Sequence, residues 1–182
     1  LKQTGELPPL GLCSQRSSFL IWEQASGKPL TPLISWQDNR GAESCAVLQA
    51  QEPLITGLSG LRLTPYFLAT KLRVVLQQNP QWRERLLHGE LLVGTLDTFL
   101  IWRWTGGMHY LTDVSMAART LLMDIKQQQW SPVLCDIFKI PLTILPVITP
   151  SSALNIPLNN GLTLQASLAD QSAALLASVG DN

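Results

Sequence analysis

Hydrophobic and polar residues divide the chain into short apolar runs near its two ends and helical patterns between them. Near the start, residues 9–15 and 17–24 are short apolar runs bounded by turn-forming residues, which predicts two strands. A turn-rich stretch at residues 25–30 then leads into a third run at residues 31–36. This order of strand, turn and strand predicts antiparallel neighbours at the beginning of the chain.

The middle of the chain predicts a series of helices. Ala42, Cys45, Ala46 and Gln49 recur at helical spacing and indicate a helix over residues 38–51. Three later helices are indicated by a capping residue followed by proline, a pair that suits a helix start because the first amide of a helix has no partner. These pairs are Thr64-Pro65, Asn79-Pro80 and Ser131-Pro132.

The remaining segments complete an α/β pattern with more helix than strand. Residues 90–94 predict either a strand or the lead into a helix, which then runs to Gly106-Gly107, and residues 112–125 are predicted as mostly helical. Residues 141–152 are predicted as an extended, proline-punctuated link. Two runs at residues 154–158 and 162–168 predict strands, and the small apolar residues after Asp170 predict a buried helix.

Composition excludes several classes of function. The chain has 182 residues, 46% of them hydrophobic and 14% charged, which fits one globular domain. Its 13 basic and 13 acidic residues give no net charge, which argues against nucleic acid or an anionic membrane as a partner. No apolar run is long enough to cross a bilayer, and no signal-peptide pattern opens the chain.

The cysteines and histidines offer no metal site. Cys13, Cys45 and Cys135 are widely spaced without a CxxC pair, so we expect buried, reduced thiols in a cytoplasmic protein. His88 precedes Gly89 and His109 comes two residues after Gly107, positions typical of turns, so a histidine-based catalytic triad is not expected.

Asp170 is the first candidate for chemistry, because it stands where a predicted strand meets a predicted helix. Two interpretations remain open at this point. Aspartate is favoured as a helix cap, and the carboxyl end of a strand is also where open α/β sheets bind ligands.

A string of short motifs resembles one enzyme family. The segment "GELLVGTLDTFLIWRWTGGMHYLTDVSMAARTLL" resembles the FGGY family of carbohydrate kinases, and glycerol kinases in particular. The pieces "SQRSS", "GKPL", "ISWQDNR", "GLRLTPYFLATKL", "IPLTILPVITPSS" and "SLADQSAAL" agree in the same order. Departures occur around Lys71, where Leu68 and Val74 replace a small residue and a tryptophan of the family pattern. Such ordered agreement is far more specific than any single short motif.

The resemblance implies a ribonuclease H-like, actin-like domain with helical insertions, one of two domains that flank a cleft. We expect residues 1–182 to be part of the N-terminal, substrate-binding domain, with residues 163–182 supplying its last strand and helix. The resemblance further implies that the opening strands with their phosphate loop and the C-terminal nucleotide domain are missing, and the start at Leu1 rather than Met agrees with a missing upstream segment.

The resemblance also assigns Asp170 as the catalytic base. The family motif is Gly-Asp-Gln-Gln, whereas this chain has Ala169-Asp170-Gln171-Ser172. A carboxylate within reach of the acceptor hydroxyl can take its proton during phosphoryl transfer. Ala169 would not easily hold a positive φ if the site needed one.

The remaining expected substrate contacts are Arg16, Ser17, Trp36, Tyr66 and Gln171. Arg16 matches an arginine that grips hydroxyls, Ser17 stands where glycerol kinases have Glu, and Trp36 matches an apolar wall. Alternatives remain for three of them: Arg16 as a surface residue, Tyr66 as a packed aromatic, and Gln171 as a solvent-facing residue. Asp38, Arg40, Asp97 and Arg119 are expected to have structural roles.

Two functions follow from these residues. The first is ATP- and Mg²⁺-dependent phosphorylation of a polyol or sugar, with this chain inactive alone. The alternative is a non-catalytic relative that binds carbohydrate or regulates, which Ser17, Ala169 and Ser172 favour. Relatives of this kind commonly form dimers or tetramers, so a homo-oligomer is one expectation.

Overall fold

The computed structural model describes residues 8–179, which form nine β-strands, eight α-helices and two short 3-10 helices. The strands are β1 (Leu10–Ser14), β2 (Phe19–Glu23), β3 (Leu91–Thr95), β4 (Leu111–Asp113), β5 (Met123–Asp124), β6 (Gln129–Trp130), β7 (Val147–Thr149), β8 (Ser152–Pro157) and β9 (Thr163–Ala169). The α-helices are α1 (Ala42–Leu48), α2 (Glu52–Ser59), α3 (Leu68–Gln78), α4 (Pro80–Leu87), α5 (Leu96–Trp104), α6 (Val114–Ala117), α7 (Pro132–Phe138) and α8 (Asp170–Val179). The 3-10 helices are Gln49–Gln51 and Leu142–Ile144.

The first and last strands of the described chain are neighbours in one sheet. β1 pairs with β9 in parallel, with Ser14 opposite Ala169, and β8 pairs with the other edge of β9 in antiparallel fashion. Three further pairs complete the strands: β2 with β3 (antiparallel), β4 with β7 (parallel) and β5 with β6 (antiparallel). The parallel pairing of β1 and β9 brings segments from opposite ends of the chain to the same edge.

β2 separates two parts of the hydrophobic core. Successive side chains of a strand point to opposite faces, and here both faces are covered. Phe19 and Ile21 lie in the main core with α3 and α7, whereas Leu20 and Trp22 pack with Trp102 of α5. The expected antiparallel start is confirmed only in part, since residues 29–34 form isolated bridges to β2 rather than a full strand.

The proline-marked helix starts are confirmed at two of the three positions. α4 begins at Pro80, and α7 begins at Pro132 with the Ser131 hydroxyl accepting the amide of Leu134. The third expectation is wrong by three residues, since α3 begins at Leu68 rather than Pro65. The reason is that the main chain before Leu68 turns so that the carbonyls of Thr64, Pro65 and Phe67 accept the hydroxyl of Thr70.

Two other helix predictions need correction. The helix expected over residues 38–51 begins only at Ala42, because Asp38 accepts the amide of Arg40 in a turn, and α2 then extends the helical region to Ser59. Residues 112–125, expected to be mostly helical, contain the end of β4, the four-residue α6 and β5. The local cause is Asp113, whose carboxylate accepts the amides of Ser115 and Met116 and so stops the strand and starts a single turn.

Two burial predictions are also wrong. The helix after Asp170 was expected to be buried, yet α8 has no buried residue, and Leu175 and Leu176 are each 64% exposed. Cys13 is exposed because it points outward from β1, whereas Cys135 is buried as expected and Cys45 is half-buried. Within residues 8–179, none of the helices combines the length and apolarity that a bilayer crossing requires.

Candidate functional site

Arg16 and Asp170 meet at the carboxyl edge of the β1–β9 pair. Each follows the end of its strand within two residues, and parallel pairing puts those ends side by side. Arg16 Nε lies 3.4 Å from Asp170 Oδ1, with the two side chains 22% and 42% exposed. The edge of the sheet therefore carries an ion pair that is open to solvent on one side.

Asp170 begins α8 and holds a second contact through the same oxygen. Its Oδ1 accepts the main-chain amide of Gln171, the next residue, at 2.8 Å. A capping side chain normally accepts an amide two or three residues further along, so this contact differs from an ordinary helix cap. In the described part of the chain no hydrogen bond to Asp170 Oδ2 is found, so this oxygen is available to a ligand. Gln171 itself is exposed on the first turn.

Ala169 shows why the altered motif is tolerated. Its side chain is buried, its amide donates to the Ser115 hydroxyl at 2.9 Å, and its φ is not positive. The backbone therefore does not require glycine at this position, and the methyl group of Ala169 leaves Asp170 in place.

Trp36 and Tyr66 form an aromatic pair. Their ring centroids are 5.6 Å apart, and Tyr66 also meets Phe67 edge-on at 5.1 Å. Trp36 lies in a turn after the bridged residue Ile34, not at the end of a regular strand as expected. Its amide donates to the Ser18 hydroxyl at 2.9 Å, which ties the aromatic pair to the segment that carries Arg16.

Ser17 does not point toward the open edge. Its φ of 63° is left-handed, its side chain is 1% exposed, and its hydroxyl donates to the carbonyl of Arg119 at 3.2 Å. The expectation that Ser17 contacts a ligand does not fit this geometry, because the left-handed turn directs the hydroxyl into the protein. The structure therefore joins Arg16 to Asp170 and Trp36 to Tyr66, and it leaves the Ser17 side chain outside both pairs.

Arg119 is a neighbour of the site that sequence reasoning assigned only to structure. Its guanidinium lies over the ring of Phe67, 5.0 Å from the centroid, and its Nε is buried without a hydrogen-bond partner in residues 8–179. Burial lowers the pKa of Arg119, and the positive charge of Arg16 lowers it further. Arg119 therefore packs on Phe67 within the electrostatic range of Arg16.

Lys71 is the second residue that sequence reasoning missed. It lies on the buried face of α3, three residues after Leu68 and one before Leu72. A charged residue within an apolar helical stripe is the sequence feature that could have indicated its buried contacts. Its ammonium donates to main-chain carbonyls beside both Arg16 and Trp36.

The described residues do not provide a complete site for ATP and Mg²⁺. No group of three or more His, Cys, Asp or Glu side chains that could hold a metal ion occurs within residues 8–179. That part of the sequence also contains no glycine-rich phosphate loop.

The structural expectations are otherwise confirmed around the site. Asp38 and Arg40 form a local ion pair of 2.8 Å, which lowers the pKa of Asp38. Asp97 is fully buried and accepts the Thr112 hydroxyl.

Comparisons with known proteins identify the family. Residues 5–174 match the model of the N-terminal domain of the FGGY family of carbohydrate kinases. A glycerol kinase of Cereibacter sphaeroides is 45% identical over 151 residues, which are 82% of this chain and 31% of that protein. An apulose kinase of Pectobacterium atrosepticum is 44% identical over 148 residues, covering 80% of this chain and 30% of that protein.

A solved structure agrees with the fold. The crystal structure of Plasmodium falciparum glycerol kinase with ADP superposes with a TM-score of 0.89 at 30% identity, over 95% of this chain and 36% of that one. The fold is thus the ribonuclease H-like, actin-like α/β fold of these kinases, and the chain spans about a third of the length of the relatives it matches. The match over residues 5–174, together with these relatives, shows that the chain belongs to the FGGY family of carbohydrate kinases, within its N-terminal domain.

Proposed function

We propose that this chain is the substrate-binding part of a kinase that transfers a phosphoryl group from ATP to a hydroxyl of a polyol or sugar. The observation that carries the proposal is the Arg16–Asp170 pair at the ends of two neighbouring parallel strands. Ligands of α/β sheets bind beyond the carboxyl ends of strands, which is where this pair lies. Relatives named glycerol kinase and apulose kinase support a small polyhydroxy acceptor.

Asp170 is the proposed general base. Phosphoryl transfer depends on positioning the acceptor and on taking its proton as the new bond forms. Asp170 Oδ1 is held by Arg16 and by the amide of Gln171, which leaves Oδ2 to accept the hydroxyl proton. The carboxylate is open enough for an acceptor to reach it.

Arg16, Gln171 and the aromatic pair are the proposed binding residues. Arg16 has donors in a planar fork, so its guanidinium can serve hydroxyl oxygens while it stays near Asp170. The exposed side chain of Gln171 follows Asp170 on the first turn of α8 and offers an amide to a second hydroxyl, and Trp36 and Tyr66 provide an apolar wall for the C–H face of the acceptor. ATP supplies the phosphoryl group, and we expect residues outside this chain to hold most of the ATP and Mg²⁺. We expect the reaction to take place in the cytoplasm.

The test joins the chain to the parts that it lacks relative to the Cereibacter sphaeroides enzyme. A chimaera replaces the matching segment of that glycerol kinase with this chain, and ATP-dependent phosphorylation is measured against glycerol, apulose, xylulose and ribulose. Asp170→Asn in the same chimaera is the key variant, and the exposed Asp136→Asn is its matched control. We expect polyol-dependent turnover that Asp170→Asn removes and Asp136→Asn keeps.

A folded chimaera that turns over no polyol, while the parent enzyme does, would contradict the proposal. Isothermal titration of the chain itself then tests the alternative of a non-catalytic module, which the altered residue Ser172 favours. Binding of a polyol without turnover in the chimaera would support that module.

A further inference from the structure

The ammonium group of Lys71 contacts the main chain of two loops of the proposed site. Its Nζ donates to the carbonyl of Ser17 at 3.0 Å and to the carbonyl of Ser35 at 2.9 Å. Ser17 directly follows Arg16, and Ser35 directly precedes Trp36. One side chain of α3 therefore contacts the main chain beside both a proposed hydroxyl ligand and a proposed aromatic wall.

The position of Lys71 is unusual for a lysine. The residue is 0% exposed, and within residues 8–179 no carboxylate forms a salt bridge with it. Burying an ammonium group is costly unless hydrogen bonds replace its water, and here two carbonyls do so. Burial lowers the pKa of Lys71 to about 8, with Asp38 opposing that shift and Arg40 adding to it.

The two loops depend on such a contact because neither is held by a regular sheet at this point. The Ser17 backbone is in the left-handed region, with φ of 63°, which is an uncommon conformation for a residue with a side chain. The Ser35–Trp36 segment follows a single bridge between Phe19 and Ile34. Within residues 8–179, three hydrogen bonds join residues 14–18 and 33–37 to each other or to α3. One runs from the amide of Trp36 to the Ser18 hydroxyl, and the other two come from Lys71.

We propose that Lys71 is a positioning residue that holds the Arg16 loop (residues 14–18) and the Trp36 loop (residues 33–37) at a fixed separation. The guanidinium of Arg16 and the aromatic wall of Trp36 then face the same acceptor. Lys71 does not touch the acceptor in this arrangement. The proposal rests on the proposed function, since Arg16 and Trp36 matter here only as ligand-binding residues.

The first test needs no ligand. Amide hydrogen exchange of the chain is compared for wild type, Lys71→Met and Lys126→Met, where Lys126 is an exposed lysine in the turn after β5. Lys71→Met removes the ammonium group that donates to Ser17 and Ser35. Amide exchange in residues 14–18 and 33–37 should therefore become about tenfold faster, the effect of losing a charge-assisted hydrogen bond. The paired strands β2 and β3 should keep their protection in all three proteins.

Two outcomes of this experiment would overturn the proposal. One is unchanged exchange in both loops of a folded Lys71→Met protein, and the other is equal acceleration throughout the chain, which would mean a general loss of stability. If Lys71→Met fails to fold, Lys71→Gln keeps one shorter amide donor and should give a smaller acceleration in the same two loops.

The second test separates positioning from folding. In the chimaera, Lys71→Met should raise the KM for the polyol about tenfold by the same reasoning and leave the KM for ATP unchanged. Equal KM values for the polyol in wild type and Lys71→Met would refute a positioning role even if the loops exchange faster. If the wild-type chimaera has no polyol-dependent activity at all, the proposed function fails, whereas the exchange result for the loops stands by itself.

Discussion

Asp97 provides a sharp test of how burial controls the stability of this fold. It is the second residue of α5 and is fully buried. Its Oδ2 accepts the hydroxyl of Thr112 at 2.8 Å, and its Oδ1 has no hydrogen-bond partner in residues 8–179. Burial raises the pKa of Asp97 to about 6, while the hydrogen bond from Thr112 acts in the opposite direction.

The sign of the pH dependence follows from this raised pKa. The folded protein binds a proton at Asp97 more tightly than the unfolded chain, whose aspartate has a pKa of 3.8. The stabilising contribution of this proton is therefore complete below pH 3.8 and is lost as the pH rises through about 6. A difference of about two pKa units corresponds to about 3 kcal/mol, because one unit is worth about 1.4 kcal/mol.

The variant Asp97→Asn removes the charge and keeps a similar shape and an acceptor for Thr112. The free energy of unfolding is measured by urea denaturation from pH 4 to pH 8 for wild type, Asp97→Asn and the exposed Asp136→Asn. We expect the stability of Asp97→Asn relative to wild type to increase with pH by up to about 3 kcal/mol and to level off above pH 7. The Asp136→Asn control should show no such increase, since its carboxyl group is exposed to water.

A stability difference between Asp97→Asn and wild type that is independent of pH would refute the reasoning. It would mean that the carboxyl group is solvated in a way that its burial and its unpartnered Oδ1 do not indicate. If Asp97→Asn instead became less stable relative to wild type as the pH rises, the sign of the predicted pH dependence would be wrong.

Three further predictions concern the site and the packing beneath it. In the chimaera, Asp170→Asn should lower kcat by about 10²–10⁴, the usual contribution of a general base, while titration still detects polyol binding; near-normal kcat would remove the base assignment. Gly41→Ala should destabilise the chain by about 1–3 kcal/mol in urea denaturation, because the added Cβ would lie 2.6 Å from Thr70 Oγ1. Gly57→Ala in α2 is the control: its added Cβ meets no atom within 4 Å, so this substitution should stabilise the chain. The 182-residue chain alone should show no ATP-dependent phosphorylation of any polyol in a coupled assay, and activity above background would refute this.

Much of the local structure was predictable because its causes lie within a few residues. The helix starts at Pro80 and Pro132 suit proline, whose missing amide would have no partner in the first turn, and at Pro132 the Ser131 hydroxyl also accepts the amide of Leu134. The order of short motifs indicated the family in the same way, since each motif is a continuous piece of sequence. The α3 start at Leu68 escaped prediction because carbonyls that turn back onto Thr70 delay the helix.

The arrangement of the candidate site could be predicted only in part. Asp170 and Arg16 were expected to act together, and the structure joins them in one ion pair. The inward turn of Ser17 was not predictable, because its direction depends on the carbonyl of Arg119, which is 102 residues away. The role of Lys71 was likewise hidden, since both of its partners are main-chain atoms from other segments.

The sequence by itself indicated the family, the candidate residues for chemistry and many of the short helices and strands, because capping, periodicity and motif identity act over neighbouring residues. Only the tertiary structure decided that β1 and β9 pair in parallel and thereby place Arg16 beside Asp170. It also decided that α8 lies exposed although its residues are apolar. The physical reason is that burial and pairing depend on which distant segment packs against a residue, and the residue's own neighbours in sequence do not specify that partner.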